Sequence, residues 1–426
     1  MIVVFVLVGL VVSAAFGALH WYAWRRLVRD TTRGPGLARR TGTVVIVTGP
    51  VLMFAALIAE RTGAPFWLQR VLGWPGFLWM AFSLYLLLAL VAAEFVRPLV
   101  RRLVEREAPA VVAVPRPERV PAGTAATEPE PGSAPEPESK QPESAGPSRA
   151  AAPSRRLFVS RVVGGAAAAA AVGTVGYGTY GVLRGPGVKR VTVPLAKLPR
   201  SAHGFRIAVV SDIHLSPVLG RGFAQRVVDT INSTQPDLIA VVGDLVDGSV
   251  KDLGPAAAPL SRLKARHGSY FVTGNHEYFS GAAQWVEEVR RLGLNPLENA
   301  RTELAGFDLA GVNDVAGESE GQGPDFGKAL GDRDTTRAVV LLAHQPVQIH
   351  EAVRHDVDLQ LSGHTHGGQL WPGNLVAAAA NPTVAGLERY GDTQLYVSRG
   401  AGAWGPPTRV GAPSDITVVE LASKRA

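Results

Sequence analysis

Hydrophobic and polar positions divide the chain into an N-terminal part with long apolar runs and a C-terminal part with short ones. A transmembrane helix needs about 20 consecutive, mainly apolar residues. Four stretches of the N-terminal part meet or approach that length, and we predict that each crosses a membrane. For the second and the fourth, a buried or interfacial segment is the alternative. The four stretches are 1–24, 43–59, 76–96 and 157–183.

A polar segment separates the third and fourth apolar stretches. It is rich in Pro, Glu, Ser and Ala and has few large apolar residues, so it cannot bury enough surface to offset its ordering entropy. We therefore predict a disordered linker and four consecutive regions. They are a transmembrane region of three helices (1–96), the linker (97–156), a fourth transmembrane segment (157–187) and a folded domain (188–426).

From about residue 190, short β-type runs alternate with amphipathic stretches, which predicts an α/β domain. The strand runs are apolar throughout, which is typical of a sheet covered on both faces. We predict strands at 205–212, 237–244, 269–275, 338–344, 357–364, 393–400 and 416–421. Helices are predicted at 222–233, 256–266 and 282–293.

Composition and charge narrow the classes of function. The chain has no cysteine, so disulfides and thiolate metal sites are excluded. The net charge of +7 comes from the membrane part, because residues 1–187 carry 20 Lys and Arg against 11 Asp and Glu, whereas residues 188–426 carry 23 against 25. Basic residues that flank apolar segments are typical of membrane topology. We therefore expect no nucleic-acid partner.

The placement of arginines predicts the orientation of the chain. Six arginines lie between the first two apolar stretches and only two between the second and third. The positive-inside rule then places the first loop and the linker in the cytoplasm and residues 188–426 outside, in a multi-pass protein of the plasma membrane. The stretch SRRLF, 154–158, resembles a twin-arginine export motif, although such motifs are usually N-terminal. An ordinary basic flank of a membrane helix is the alternative.

Five predicted strands of the α/β domain end in residues that can bind metal ions. The motifs are, in chain order, SDIHL, GDLVDG, GNHEYF, AHQP and GHTHGGQ. Each alone has a simpler explanation, such as a helix cap or a turn. Ligands of α/β proteins gather at the carboxyl ends of strands, so five such ends in one domain predict a common metal site of oxygen and imidazole ligands.

These five motifs resemble those of the calcineurin-like metallophosphoesterase superfamily over residues 188–426. The motif HTHGGQ is similar to the corresponding motif of a membrane-associated bacterial branch of this superfamily, which includes phosphodiesterases that the twin-arginine pathway exports. The resemblance implies a β-sandwich of four layers flanked by helices. It also implies two divalent metal ions, for which Mn²⁺, Fe and Zn²⁺ all remain open. The implied ligands are Asp212, His214 and His366 for the first metal, Asn275, His344 and His364 for the second, and Asp244 as a bridge.

The resemblance also assigns two catalytic residues that do not bind metal. His276 would face the leaving group, and Asp247 would orient that histidine. Phosphatases of the superfamily that act on phosphoserine and phosphothreonine have an arginine after this aspartate. Here the position is Gly248, which disfavours that substrate class.

The expected function is therefore a membrane-anchored, metal-dependent phosphoesterase, and we expect a phosphodiesterase. A hydroxide that bridges the metals would attack phosphorus in line, and His276 would assist the leaving oxygen. The expected partners are the lipid bilayer and a phosphoester substrate. Because the domain is expected to lie near a membrane, a lipid or another envelope component is the favoured substrate. The alternative is a non-catalytic metal-binding sensor or scaffold at the membrane. Four loop residues could line a substrate rim or simply pack: Trp371, Tyr390, Trp404 and Arg409.

Overall fold

The computed structural model describes residues 2–106 and 155–424. Long helices form the N-terminal part, and a π-helical turn, Arg25–Arg29, follows the first of them. The helices are α1 (Ile2–Trp24), α2 (Leu37–Arg61), α3 (Phe66–Arg106) and α4 (Arg155–Leu183).

Three helices of the described residues are long and apolar enough to cross a membrane: Leu37–Arg61, Phe66–Arg102 and Arg155–Leu183. They correspond to the second, third and fourth predicted stretches. The first stretch forms α1, but most of its N-terminal side chains lie outside the described residues, so its span stays a prediction.

The third helix is longer than its apolar stretch. It begins ten residues earlier and continues to Arg106, through Pro75 and Pro98. The prediction that the linker begins at residue 97 is therefore wrong for residues 97–106, which are helical. The prediction is also wrong for residues 155 and 156, which begin α4. Residues 107–154 of the predicted linker lie outside the described residues.

Within the described residues, twelve strands form two mixed six-stranded sheets. In the first sheet the spatial order is β1 (Gly187–Leu195), β12 (Asp415–Ser423), β2 (Phe205–Val210), β3 (Leu238–Val242), β4 (Ser269–Val272) and β5 (Asn295–Pro296). In the second it is β10 (Gly386–Tyr390), β11 (Thr393–Val397), β9 (Leu359–Ser362), β8 (Val339–Leu342), β7 (Asp308–Gly311) and β6 (Ala300–Glu303).

The two sheets pack face to face, and helices cover their outer faces. In β2, Ile207 and Val209 face the second sheet, whereas Ala208 and Val210 face the helices, as the two-residue period of a strand requires. The helices of the domain are α5 (Arg221–Ser233), α6 (Val250–Ala257), α7 (Asn275–Ser280), α8 (Ala282–Arg291), α9 (Phe326–Leu330), α10 (Ile349–Arg354) and α11 (Gly373–Ala380). This four-layer α/β sandwich, preceded by long apolar helices, confirms the predicted fold class.

The strands that precede the motifs run parallel to their neighbours. β2, β3 and β4 are consecutive parallel neighbours in the first sheet, and β8 and β9 are parallel neighbours in the second. Their carboxyl ends therefore meet at one edge of the sandwich, which is where the motif residues lie.

The sandwich packs against the membrane helices at three hydrogen-bonded points. Tyr85 Oη on α3 donates to the carbonyl of Trp371 at 3.0 Å. Thr179 of α4 bonds the hydroxyl of Thr408 at 2.7 Å, and the Arg409 amide donates to the carbonyl of Gly178 at 3.3 Å. The loops around residues 371 and 409 therefore lie against α3 and α4.

Candidate metal centre

The loops that follow the strands hold their site residues in an unusual backbone conformation. Five of these residues have positive φ angles, between 47° and 72°, although none is glycine. The left-handed region costs a residue with a Cβ atom about 1–2 kcal/mol. Such strain persists only where surrounding contacts hold it, and it concentrates at functional sites. The five residues are Asp212, His214, Asp244, His364 and His366.

One group of possible ligands consists of Asp212, His214 and His366, whose ligand atoms lie within 4.8 Å of one another. The Nε2 atoms of the two histidines face each other at 3.0 Å, and His366 Nε2 lies 3.4 Å from Asp212 Oδ1. Two facing Nε2 atoms cannot both carry a proton, whereas a cation can lie between their lone pairs. The arrangement fits a metal ion.

A second group consists of Asp244, His344 and His364. His344 is fully buried, and its Nε2 faces Asp244 Oδ2 at 3.2 Å without a hydrogen bond to any described residue. Asn275 joins this group, because its Oδ1 lies 3.0 Å from Nδ1 of His364. A buried polar atom without a partner usually has a functional reason, and a metal ion would satisfy this one.

The two groups are adjacent, because Asp244 lies next to both. Its Oδ2 is 3.7 Å from Nε2 of His214 and 3.2 Å from Nε2 of His344. Two adjacent His and Asp groups of this kind are consistent with a dinuclear metal site, and the donors leave the identity of the metals open.

Burial and charge hold three of the possible ligands, His364, His366 and Asp244, in the protonation states that metal binding needs. Two others shift the opposite way: burial would lower the pKa of His344, but the charge of Asp244 outweighs it and raises that pKa, and burial raises the pKa of Asp212. Burial, with the nearby His344, lowers the pKa of His364 to about 4. Burial, with His214 and Arg409, lowers the pKa of His366 well below its usual value. Burial would raise the pKa of Asp244, but the neighbouring histidines, led by His344, outweigh it and lower that pKa. Neutral imidazole and ionised carboxylate are the forms that ligate metals.

A third group of possible metal ligands consists of His214, Asp247 and His276, and it shares His214 with the first group. Oδ1 of Asp247 accepts from Nδ1 of His276 at 2.7 Å and lies 2.8 Å from Nδ1 of His214. Burial would lower the pKa of His276, but the hydrogen bond and the charge of Asp247 outweigh it and raise this pKa to about 9. His276 is therefore a cation at neutral pH, and it borders the open cavity in front of the metal centre.

The structure thus brings together all nine residues that were predicted for the site. Four more residues border them: Glu277, Arg409, Trp404 and Arg61. Buried Glu277 accepts hydrogen bonds from the amides of Gly274, Asp244 and Leu245 at 2.7–3.0 Å and so ties two ligand loops together. Its only sequence signal is its place after His276 in GNHE.

Arg409 is buried beneath the metal centre rather than at a rim. Its guanidinium donates to the carbonyl of His366 at 3.0 Å, and another nitrogen lies 3.0 Å from Nδ1 of that ring. Of the other loop residues, Trp404 borders the cavity with its ring centroid 5.8 Å from that of His276, and Tyr390 bonds Thr383 away from the site. Arg61, at the end of α2, also borders the cavity, which the sequence did not indicate.

Close packing around Asp244 makes Gly274 a sensitive position. A Cβ atom there would overlap Oδ1 of Asp244 and lie 2.5 Å from its amide nitrogen. We expect Gly274→Ala to displace Asp244 and to lower metal affinity by about tenfold or more, measured by titration of the metal-free protein. Gly220→Ala is the matched control, because Gly220 also precedes a helix in extended backbone and has open space around it. Equal affinities of the two variants would contradict this role of Gly274.

Comparisons with known proteins agree with this geometry. Residues 205–368 match the family model for calcineurin-like phosphoesterases. An uncharacterized metallophosphoesterase of Helicobacter pylori is 38% identical over 58% of this chain and 67% of its own length. One of Aquifex aeolicus is 34% identical over 56% of this chain and 92% of its own length. This chain belongs to the calcineurin-like phosphoesterase family.

The phosphoesterase domain also has a relative that is named for its membrane segments. A transmembrane protein with metallophosphoesterase domain from Danio rerio is 39% identical over 58% of this chain and 59% of its own length. The chain thus spans little more than half of that relative. The chain therefore combines a metallophosphoesterase domain with three described helices that are long and apolar enough to anchor it in a membrane.

Proposed function

We propose that this chain is a metal-dependent phosphodiesterase whose two-metal centre lies at the membrane surface. The observation that carries the proposal is the position of the His276–Asp247 pair beside two adjacent metal-binding groups, at the mouth of one cavity. A binding domain without catalysis would not need a histidine cation that borders this cavity without joining either metal group. The pair therefore favours an enzyme over a sensor or scaffold.

In this proposal Asp212, His214 and His366 hold one metal, Asn275, His344 and His364 hold the other, and Asp244 is shared. When bound, the metals supply Lewis acidity and an activated water for attack on phosphorus. The protonated His276 donates its proton to the leaving oxygen, and Asp247 keeps that ring oriented and charged. Glu277 and Arg409 hold the ligand loops in place.

The charge around the cavity supports a diester. Gly248 stands where protein phosphatases of the superfamily have an arginine, and among the described residues that line this cavity the cationic side chains are Arg61 from α2 and His276. A phosphodiester carries one negative charge and needs less neutralisation than a phosphomonoester. The test loads the full chain with Mn²⁺ and compares hydrolysis of bis-p-nitrophenyl phosphate with that of p-nitrophenyl phosphate. Faster hydrolysis of the monoester, or none of either with both metals bound, would contradict the proposal.

We also propose that the domain lies on the extracytoplasmic side. Because the chain has no cysteine, single cysteines report topology directly. In intact cells, we expect a membrane-impermeant maleimide to label Thr335→Cys on the exposed surface of the domain. Pro35→Cys, in the exposed loop before α2, serves as the control and should react only after the membrane is permeabilised. Labelling of Pro35→Cys in intact cells, with Thr335→Cys reacting only after permeabilisation, would place the domain in the cytoplasm.

The same labelling tests whether the twin-arginine pathway exports the domain. Arg155 and Arg156 begin α4, so the pair lies at the start of the last spanning helix. We expect replacement of both by lysine in the Thr335→Cys protein to remove labelling from outside, because lysine keeps the charge but not the guanidinium groups that the motif requires. Unchanged labelling would assign the pair to an ordinary basic flank.

A further inference from the structure

A cavity of about 880 Å³ connects the metal centre with the membrane helices. This volume is near the upper end of the range for small-molecule sites. Asp244, Asn275, His276, His364 and His366 line one end of it. The cavity is therefore continuous with the site proposed to bind phosphorus.

The other end of the cavity is apolar. Met80 and Leu84, one helical turn apart on α3, form one wall. Leu370, Val376 and Ala377 belong to its lining from the segment that leads into α11 and from α11 itself. We call this end the α3–α11 groove. A small water-soluble ester would fill the polar end and leave the groove without contacts.

Helix α11 has the composition of a lipid-exposed segment. Its sequence GNLVAAAA has no charge, and each of its residues is at least partly exposed. Leu375 and Val376 are 65% and 73% exposed, and Trp371 next to the helix is 53% exposed. An exposed apolar patch of this kind on a folded domain marks a surface that contacts something other than water.

The position of α11 identifies what it contacts. Tyr85, which bonds the carbonyl of Trp371, lies well inside the spanning helix Phe66–Arg102. Leu370 packs against the cluster that α3 and α4 form. An exposed apolar helix that begins beside a helix able to span a membrane is suited to contact with lipid chains, and tryptophan is typical of the membrane interface.

Resting on the proposed function, we infer that the substrate is a lipid phosphoester whose hydrocarbon chain lies in the α3–α11 groove. Its phosphate reaches the metal centre beside Arg61, and its chain enters from the bilayer between α3 and α11. The anionic phosphate matches Arg61, His276 and the metal ions that the centre would hold, and the hydrocarbon chain matches the apolar part of the lining. Each end alone would fit other ligands, but their continuity requires a molecule that has both.

The test uses alkyl p-nitrophenyl phosphodiesters that differ only in chain length. The full-length protein, loaded with Mn²⁺ in nanodiscs, is assayed with the methyl and octyl esters, and kcat/KM is compared. We expect the octyl ester to be preferred by about tenfold or more, because each methylene in the groove leaves water. The octyl-to-methyl ratio is the readout, since it does not depend on the fraction of active protein.

Two neighbouring residues of α11 separate groove binding from simple partition into lipid. Val376 lines the groove, whereas Leu375 is exposed to a similar degree but is not part of the lining. We expect Val376→Asp to bring the ratio close to one and Leu375→Asp to keep it near that of the unchanged protein. Partition of the esters into the nanodisc is common to both variants, so it cannot produce this difference.

The outcomes separate failure of the inference from failure of the proposed function. Hydrolysis of both esters with a ratio near one in the unchanged protein would overturn the lipid substrate but leave the phosphodiesterase intact. Equal ratios in the two variants would overturn the assignment to the groove. No hydrolysis of either ester with both metals bound would contradict the proposed function itself, on which the inference rests.

Discussion

Asp244→Asn is expected to abolish hydrolysis of bis-p-nitrophenyl phosphate, with a loss of kcat of at least about a thousandfold. Asp244 Oδ2 lies within 4 Å of both His214 Nε2 and His344 Nε2, so one carboxylate serves both metal groups. The amide removes its negative charge and one of its acceptor oxygens. Each group then keeps two imidazoles with less charge to hold a divalent ion.

Metal content measured with activity tests this explanation. We expect purified Asp244→Asn to hold fewer than two metal ions per chain under conditions that fill the unchanged protein. Asp229→Asn is the matched control, because Asp229 is exposed on α5 and bonds only Gln225 among the described contacts. Two tightly held ions together with full activity in Asp244→Asn would refute the shared role of this carboxylate.

His276→Gln is expected to lower kcat for a diester with an alkoxide leaving group by about 10²–10⁴-fold while metal content stays unchanged. The ring bonds Asp247 at 2.7 Å through Nδ1 and borders the cavity, and it belongs to neither proposed metal group. Glutamine can keep a hydrogen bond to Asp247, but it cannot donate a full proton to a leaving oxygen.

The leaving group distinguishes proton donation from a merely structural role. An alkoxide needs a proton as it departs, whereas p-nitrophenolate is stable without one. We therefore expect His276→Gln to slow an alkyl diester about tenfold more than bis-p-nitrophenyl phosphate. His350→Gln, on the exposed start of α10, is the control that alters neither rate. An equal loss for both leaving groups would assign His276 to positioning or charge stabilisation instead.

The sequence predicted most of the strands that are buried on both faces, but it missed the edge strands and the short buried strand β7 (DLAG). All seven predicted strands are present, because unbroken apolar runs are visible without tertiary information. β6 (ARTE) and β10 (GLERY) are edge strands whose mainly polar residues are all at least partly exposed, so no hydrophobic pattern marks them. The helix predicted at 256–266 is instead the last turn of α6 and a 3₁₀ turn, since Pro259 lacks the amide donor that a helix interior needs.

The site was predictable where strand ends determine it and unpredictable where tertiary contacts do. Asp212, Asp244 and His344 follow parallel strands directly, so topology alone brings them to one edge. Arg409 lies 43 residues after His366 in a loop, and nothing in its sequence environment places its guanidinium under that ring. The groove between α3 and α11 likewise depends on how the membrane helices pack against the domain, which no local pattern encodes.

The contact at Gly178 means that the last membrane helix supports the domain as well as anchoring it. A Cβ atom at this position would lie 2.6 Å from the carbonyl of Arg409, so only glycine lets α4 approach the loop this closely. Arg409 in turn bonds His366. A shortened protein that starts after Leu183 would expose this loop and lose one of the supports of a metal ligand. Weak activity in such a fragment would therefore reflect the loss of α4, so a shortened form is better designed with α4 retained.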